Sequence, residues 1–221
     1  MNRTVFIGDV HGCFDELQDL LKAVKASPSD RLVSVGDLIS KGPKSGEVAA
    51  WARATPNLEG VLGNHELRLL RHWRQGTVSR EKSHDAATYE QLGDAREETM
   101  RYFDRWPLTL SGPGWLAVHA GFDPREDLEW QSAAQLTGLR RLDDGRPWYE
   151  AYREKTTVVF GHWAKRAPVL RPNAIGLDTG CVYGGSLTAL LLPERVLVSV
   201  PARRAYAEKK SWDELVPAGA R

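Results

Sequence analysis

Sulfur, net charge and long apolar runs are all scarce in this chain of 221 residues, and each shortage closes a class of function. Only two cysteines occur, Cys13 and Cys181, and neither sits in the CxxC or Cys/His spacing of a local zinc module. A disulfide scaffold would need many more, so two free thiols are expected. Lys and Arg total 30 against 29 Asp and Glu, a formal charge of +1. No global field then favours nucleic acid or a membrane surface, sequence-specific DNA binding is not expected, and any polyanion must be held by a local patch. No segment approaches the ~20 apolar residues of a membrane span, and "LTALLL" is far shorter. The opening "MNRTVFIGDV" has no sustained apolar h-region and no small-residue cleavage site, so a cytoplasmic location is expected. Internal repeats and low-complexity tracts are absent, and only the tail after about Lys209 looks dispensable.

Apolar residues make up 42% of the chain, enough to fill a core, and the length predicts one domain over residues 1–221. Short β-branched and apolar runs recur: "TVFIGDV", "RLVSVGDLI", "LEGVLGN", "GWLAVHAG", "TTVVFGH", "IGLDTG", "SLTALLL" and "RVLVSV". Each has strand length and is bounded by Gly, Asp or Pro. Helical patterns separate the first ones. In "FDELQDLLKAVKA" the apolar Phe14, Leu17, Leu20, Leu21 and Val24 fall on one helix face, and "SGEVAAWARA" and "ELRLLRHWR" read the same way. A charged helical excursion at about 66–106, weakest from Thr77 to His84, passes over the active site. An α/β first half and a strand-rich second half predict an α/β fold of two packed sheets flanked by helices.

The ends of these strands carry the chemistry. "GDVHG", "GDLISKG", "GNHE", "VHAG" and "FGHW" close five of them, each on a metal-type ligand. Functional groups gather where strands end, because the strand fixes position and the loop leaves room for substrate. Convergence of the five would surround one cavity with Asp9, His11, Asp37, Asn64, His119 and His162. Imidazole, carboxylate and amide oxygen without thiolate suit manganese, iron, zinc or cobalt, and six ligands exceed the needs of one four-coordinate ion with an open position. Two divalent ions are therefore expected, manganese foremost. A pair about 3.5–4 Å apart can share a carboxylate and hold a bridging hydroxide as nucleophile. Taken singly, each motif has an ordinary reading: an Asp that caps a helix, an N-terminal box in "GNHE", a satisfied core histidine. His72 and His84, inside the excursion, read as surface residues.

The five motifs in this order resemble the phosphoprotein-phosphatase branch of the dinuclear metallophosphoesterases, over about residues 4–193. The resemblance implies a metallophosphoesterase β-sandwich of two mixed sheets flanked by helices (αββα). It places Asp9, His11 and His162 on one metal, Asp37 as the bridge, and Asn64 and His119 on the other. It also implies that His65 assists the leaving group. Departures inside the branch are informative. Protein phosphatases usually carry Asp and then Arg before the last glycine of the second motif and Arg before "GNH"; here those positions are Ser40, Lys41 and Leu62. The missing carboxylate would raise the pKa of the catalytic histidine, which matters most for an alkoxide leaving group. A nucleotide leaving through its phosphate, whose second pKa is ~6, needs far less protonation.

"VLGNHELRLLRHW", "FGHWA" and "IGLDTGCVYGGSLTALLL" are similar to symmetrical diadenosine tetraphosphate hydrolases, which implies cleavage of a dinucleoside polyphosphate to two ADP. Lys41 stands where an arginine is usual and offers a point charge without the bidentate fork. Arg140 matches an arginine that grips phosphate in the family, with Arg141 its competitor and a solvated pair on a loop the ordinary reading. Arg68, Arg71 and Arg74 with Trp73 either bind polyphosphate and base or form an ordinary exposed helix face. Trp163, next to His162, could wall the site. Glu66 and Asp178 belong to the motifs without an assignable chemical role, and Asp178 could order a turn. The competing readings are a serine/threonine or broad-specificity protein phosphatase of the same superfamily, and a nucleotide sensor without turnover. Capped RNA 5′ ends, held by the basic run "RLLRHWRQGTVSREK", form a secondary substrate class.

Overall fold

The computed structural model describes residues 3–209 and Trp212. Two five-stranded mixed sheets pack face to face. In the first, β1 (Thr4–Ile7), β2 (Arg31–Ser34) and β3 (Leu58–Gly60) run parallel, and β9 (Ser186–Leu192) and β10 (Val196–Pro201) extend the sheet antiparallel beside β1. In the second, β5 (Trp115–Val118), β6 (Thr157–Phe160) and β8 (Ala174–Gly176) are parallel, with β4 (Thr109–Gly112) and β7 (Val169–Leu170) antiparallel at the edges.

Strand alternation sorts the core into three layers. Val5 and Ile7 of β1 face the helical side, where Leu17 and Leu20 of α1 (Phe14–Ala23), Val48 of α2 (Ser45–Ala54) and Leu69 of α3 (Asn64–Arg74) cover them. Phe6, between them in sequence, turns the other way into the layer between the sheets with Val33, Trp115, Val159 and Ile175. Its ring meets Trp115 edge-on at 4.9 Å. On the outer face of the second sheet, Val158 and Phe160 pack under Leu136 of α6 (Ala133–Gly138) and Trp148 and Tyr149 of α7 (Trp148–Ala151). This is the expected two-sheet, helix-flanked arrangement.

The excursion is discontinuous. After α3 the chain is non-helical to His84, then forms α4 (Asp85–Leu92), a single 3-10 turn and α5 (Arg96–Phe103). Strands β4 and β7 lack a sequence signal. "TLSG" is half-exposed and ends on Ser and Gly, and β7 has two residues, too few to show a period. The short α6 and α7 were equally invisible for want of length. Most of the tail after Lys209 lies outside the described residues, but Trp212 packs edge-on against Tyr183 and under the Arg166 guanidinium.

Candidate active site

The C-terminal ends of β1, β2 and β3 meet those of β5 and β6, and their loops are tied by hydrogen bonds. Val10 and His11 both donate backbone N–H to the Asp37 carbonyl, at 3.1 and 2.8 Å. Glu66, for which the sequence offered no role, is the central fastener. Its buried carboxylate accepts from the backbone N–H of Asp37 (2.9 Å), Ile39 (3.0 Å) and Gly63 (3.2 Å), joining the second and third motif loops. Burial and the nearby Asp37 charge push Glu66 up to about 7. Asp178 accepts from the Gly180 N–H at 3.0 Å and so orders its turn.

Five residues of these loops adopt left-handed backbone: His11, Asp37, Ser40, Lys41 and His162. Such strain in non-glycine residues persists where surrounding contacts over-determine it. Space is equally tight. A Cβ on Gly161 would collide with the Asp9 carboxylate, and one on Gly63 with that of Asp37.

All six expected ligands converge. Ligand atoms of Asp9, Asp37 and His119 lie within 4.8 Å of one another, as do those of His11, Asp37 and His65, so Asp37 belongs to both groups. Asn64 Oδ1 accepts from His119 Nε2 at 3.1 Å and from His162 Nδ1 at 2.9 Å. Asp9 accepts from the His162 backbone N–H at 3.0 Å. Asp37 Oδ2 lies 3.4 Å from His11 Nε2 and 3.5 Å from His119 Nε2.

The electrostatics fit a cation site. Burial, with the nearby Asp178 and Asp37 charges, raises the Asp9 carboxyl well above its ordinary range, the mark of a carboxylate without counter-charge. Burial and the Lys41 ammonium lower His11 to about 3, and burial also holds His65 and His162 well below the ordinary histidine value. Neutral imidazoles keep a lone pair for a metal. His119 differs: burial opposes its charge, but Asp37 raises it to about 10. Asp37 is in turn held low, against its own burial, by His119, His65 and His11. His119 Nδ1 donates to the Val35 carbonyl at 2.8 Å, which directs Nε2 into the site. His11 Nδ1 is buried without a hydrogen-bond partner. The donor set therefore suits divalent cations.

His65 has an environment that the sequence did not reveal. Its Nε2 stands 4.0 Å from Asp37 Oδ2, facing the cluster. Its Nδ1 meets the Ser40 hydroxyl at 3.1 Å and Arg68 Nη2 at 3.2 Å, with Thr88 donating onward to Ser40 at 3.4 Å. Arg68 is buried and paired with the fully buried Asp85 at 2.7 Å. It is therefore not an exposed helix-face residue. His84, expected at the surface, is half-buried and stacked on His65 with ring centroids 5.1 Å apart. Its Nε2 lies 3.3 Å from Arg68. Asp85, His84 and Thr88 come from the excursion, more than 15 positions beyond His65, where no local pattern links them to it.

Of the remaining candidates, Lys41 places Nζ 3.0 Å from His11 Nε2 and 5.4 Å from the Tyr183 ring. Arg140 is exposed, with Nη2 at 3.4 Å from the His162 carbonyl, at the rim of the cluster. Arg141 instead lies over the Trp163 ring. Trp163 does not wall the site: it is buried in the outer core of the second sheet, with Lys165 Nζ 3.7 Å from its ring centroid. Arg71 and Arg74 form surface ion pairs with Glu81 and Asp104, and His72 bonds Glu81, the ordinary pattern of a solvated helix face.

Comparison with known proteins agrees with this geometry. The family model described as calcineurin-like phosphoesterase matches residues 2–195. A bis(5′-nucleosyl)-tetraphosphatase, symmetrical, of Vibrio parahaemolyticus is 31% identical, over 90% of this chain and 98% of its own length. The like-named protein of a Janthinobacterium species is also 31% identical, over 89% and 95%. The first of these alignments spans 268 positions against 221 residues here, so that relative carries segments this chain lacks. A crystal structure of a protein assigned as a diadenosine tetraphosphatase superposes with a TM-score of 0.80 at 33% identity, covering 91% of this chain and 94% of that one. A cold-active protein-tyrosine phosphatase of a Shewanella species shares the fold, with a TM-score of 0.60 at 17% identity over 92% of this chain and 81% of its own. With this match over most of its length and the motif residues gathered at one strand-end cluster, the chain belongs to the calcineurin-like phosphoesterase family.

Proposed function

We propose that this protein cleaves diadenosine tetraphosphate symmetrically to two ADP. The family uses a dinuclear metal centre. Asp9, His11, Asp37, Asn64, His119 and His162 would hold the two ions, manganese foremost, with Asp37 between them. When bound, such a pair supplies a nucleophile from water at neutral pH and offsets charge on the phosphoryl oxygens.

The observation that carries the substrate class is the partner of His65. In place of a carboxylate, its Nδ1 faces a hydroxyl and a guanidinium. With Arg68 donating to Nδ1, the proton resides on Nε2, directed at the cluster, and the ring stays neutral. A neutral imidazole can donate a hydrogen bond to a departing phosphate oxygen, yet it is not poised to protonate an alkoxide fully. ADP leaves through a phosphate whose second pKa is ~6 and needs no more than that. Lys41, beside the cluster, adds a positive charge for the polyphosphate, and Arg140 at the rim adds a second. The names of the relatives point the same way.

Product analysis tests the reading. Metal-loaded protein incubated with diadenosine tetraphosphate should yield ADP alone, and Asp37→Asn should abolish it. AMP plus ATP would move the position of attack, while release of phosphate from phosphoserine peptides without tetraphosphate cleavage would establish the protein phosphatase instead. RNA that begins with a dinucleoside tetraphosphate presents the same bridge, and competition with the free dinucleotide measures whether it shares the site.

A further inference from the structure

The two cysteines, 168 positions apart in sequence, meet in the core with Glu16. Both sulfurs and a Glu16 carboxylate oxygen lie within 4.8 Å of one another, and the three residues are at most 1% exposed. Glu16 is asymmetric. Its Oε1 accepts from the Arg203 backbone N–H at 2.9 Å and from the Tyr206 hydroxyl at 2.8 Å. Its Oε2 is buried without any partner. An orphaned carboxylate oxygen in a dry core costs free energy unless something positive reaches it. The sulfurs have only the weak partners open to thiols: the Cys13 thiol lies 3.9 Å from the His11 carbonyl, and the two thiols bond each other.

We propose that Cys13, Cys181 and Glu16 form a cation site separate from the phosphoesterase centre, which takes a thiophilic divalent ion of the zinc class. Zinc binds thiolate sulfur at ~2.3 Å and carboxylate oxygen at ~2.0–2.2 Å, so two sulfurs on one tetrahedral ion stand ~3.8 Å apart. Ligand atoms that already lie within 4.8 Å of one another are compatible with that geometry. As the ion binds, each thiol gives its proton to water and its sulfur bonds the metal, while the Glu16 carboxylate, one oxygen of which has no partner, gains a positive one. Without an ion, the hydrogen bond with Cys13 and burial hold the Cys181 thiol protonated, so it is not a ready nucleophile.

The three residues come from two parts of the fold. Cys13 caps the N-terminus of α1 and Glu16 lies in its first turn, whereas Cys181 follows the turn ordered by Asp178. A bound ion would cross-link α1 to that turn. Residues 202–207 form the lid: Ala202 bonds Gly185, and Tyr206 and Ala207 bond the Val182 carbonyl. That strap closes over Glu16, so the ion enters during folding or when the strap lifts. This inference does not depend on the substrate.

The test exploits sulfur, which the phosphoesterase centre lacks. Chelator-stripped, thiol-reduced full-length protein is titrated with cadmium while the ultraviolet thiolate-to-cadmium charge-transfer band is followed. The expected result is a band whose final intensity corresponds to one two-thiolate site per chain, reached by about three equivalents because the phosphoesterase centre takes up two ions without a thiolate band. Cys181→Ser and Cys13→Ser should each lose most of the band with unchanged far-ultraviolet circular dichroism. Glu16→Gln should keep it but bind at least about tenfold more weakly. Should a serine variant fail to fold, the wild-type chain still decides: excess chelator should erase the band, and renewed cadmium should restore it to the same intensity. Absence of the band in fully reduced protein, its persistence in Cys181→Ser, or isolation of the pair as a disulfide would overturn the proposal.

Discussion

Replacing Arg68 by Met separates its two roles. Its Nη2 lies 3.2 Å from His65 Nδ1 and 2.7 Å from Asp85 Oδ1. Loss of a hydrogen bond from a charged donor costs about 1.5–3 kcal/mol, and its full expression in the transition state lowers kcat about 10- to 150-fold. Stability responds separately. Removing one partner of a buried ion pair costs about 3–5 kcal/mol, because the other charge is left uncompensated. Here Asp85 keeps the Ser79 hydroxyl at 2.5 Å and the Lys82 N–H at 3.1 Å, so the loss should fall at the lower end of that range. Adding Asp85→Asn removes the stranded charge, and the double variant should regain most of the stability but none of the kcat. Urea denaturation reads the first quantity and steady-state kinetics on diadenosine tetraphosphate the second. A series of aryl phosphates with graded leaving-group pKa adds a signature that a merely structural role lacks: the deficit should grow as the leaving group becomes more basic. A folded Arg68→Met enzyme with kcat within about threefold of wild type would refute the reasoning. So would a raised KM at unchanged kcat, which would put Arg68 on the substrate.

Further outcomes follow from the same contacts. Lys41→Met should raise KM for the tetraphosphate about tenfold or more, with Lys41→Arg retaining part of the affinity, read by initial rates at saturating metal. In the folded protein burial works against Asp85, yet the Arg68 and Ser79 bonds hold its pKa below the usual value. Its stabilisation is therefore present above pH ~3.9 and lost as pH falls through the lower folded value; acid unfolding followed by circular dichroism should show a shallower pH dependence in Asp85→Asn. Gly161→Ala places a Cβ on the Asp9 carboxylate and should abolish turnover, with unfolding by urea shifted to lower concentration. Chelation should abolish turnover, and re-addition of manganese, cobalt, iron or zinc in turn should rank the ions by recovered rate.

How much was legible depended on sequence separation. The six candidate ligands could be read from the chain because each sits in a short motif at the end of an apolar run, where local pattern and chemistry coincide. Strands β4 and β7 and helices α6 and α7 could not, being too short or too exposed to show a period. Arg68 was ambiguous for a physical reason: spacing along α3 gives its face, whereas its burial depends on Asp85, which folds back from beyond a non-helical stretch. The burial of His84 leaves no local mark for the same reason. Trp163 stood next to His162 in sequence, but the left-handed backbone at His162 belongs to a sharp turn there, and the indole lies in the core rather than the site.

Periodicity and strand-end motifs by themselves determined the two-sheet α/β class, the donor chemistry and the converging ligand set, because these are written in residues a few positions apart. Only the tertiary structure decided what surrounds His65, that Glu66 fastens two loops, and that Cys13, Glu16 and Cys181 share one buried point. Those properties arise from contacts between distant segments, and burial, which sets their electrostatics, exists only once the chain has closed around them.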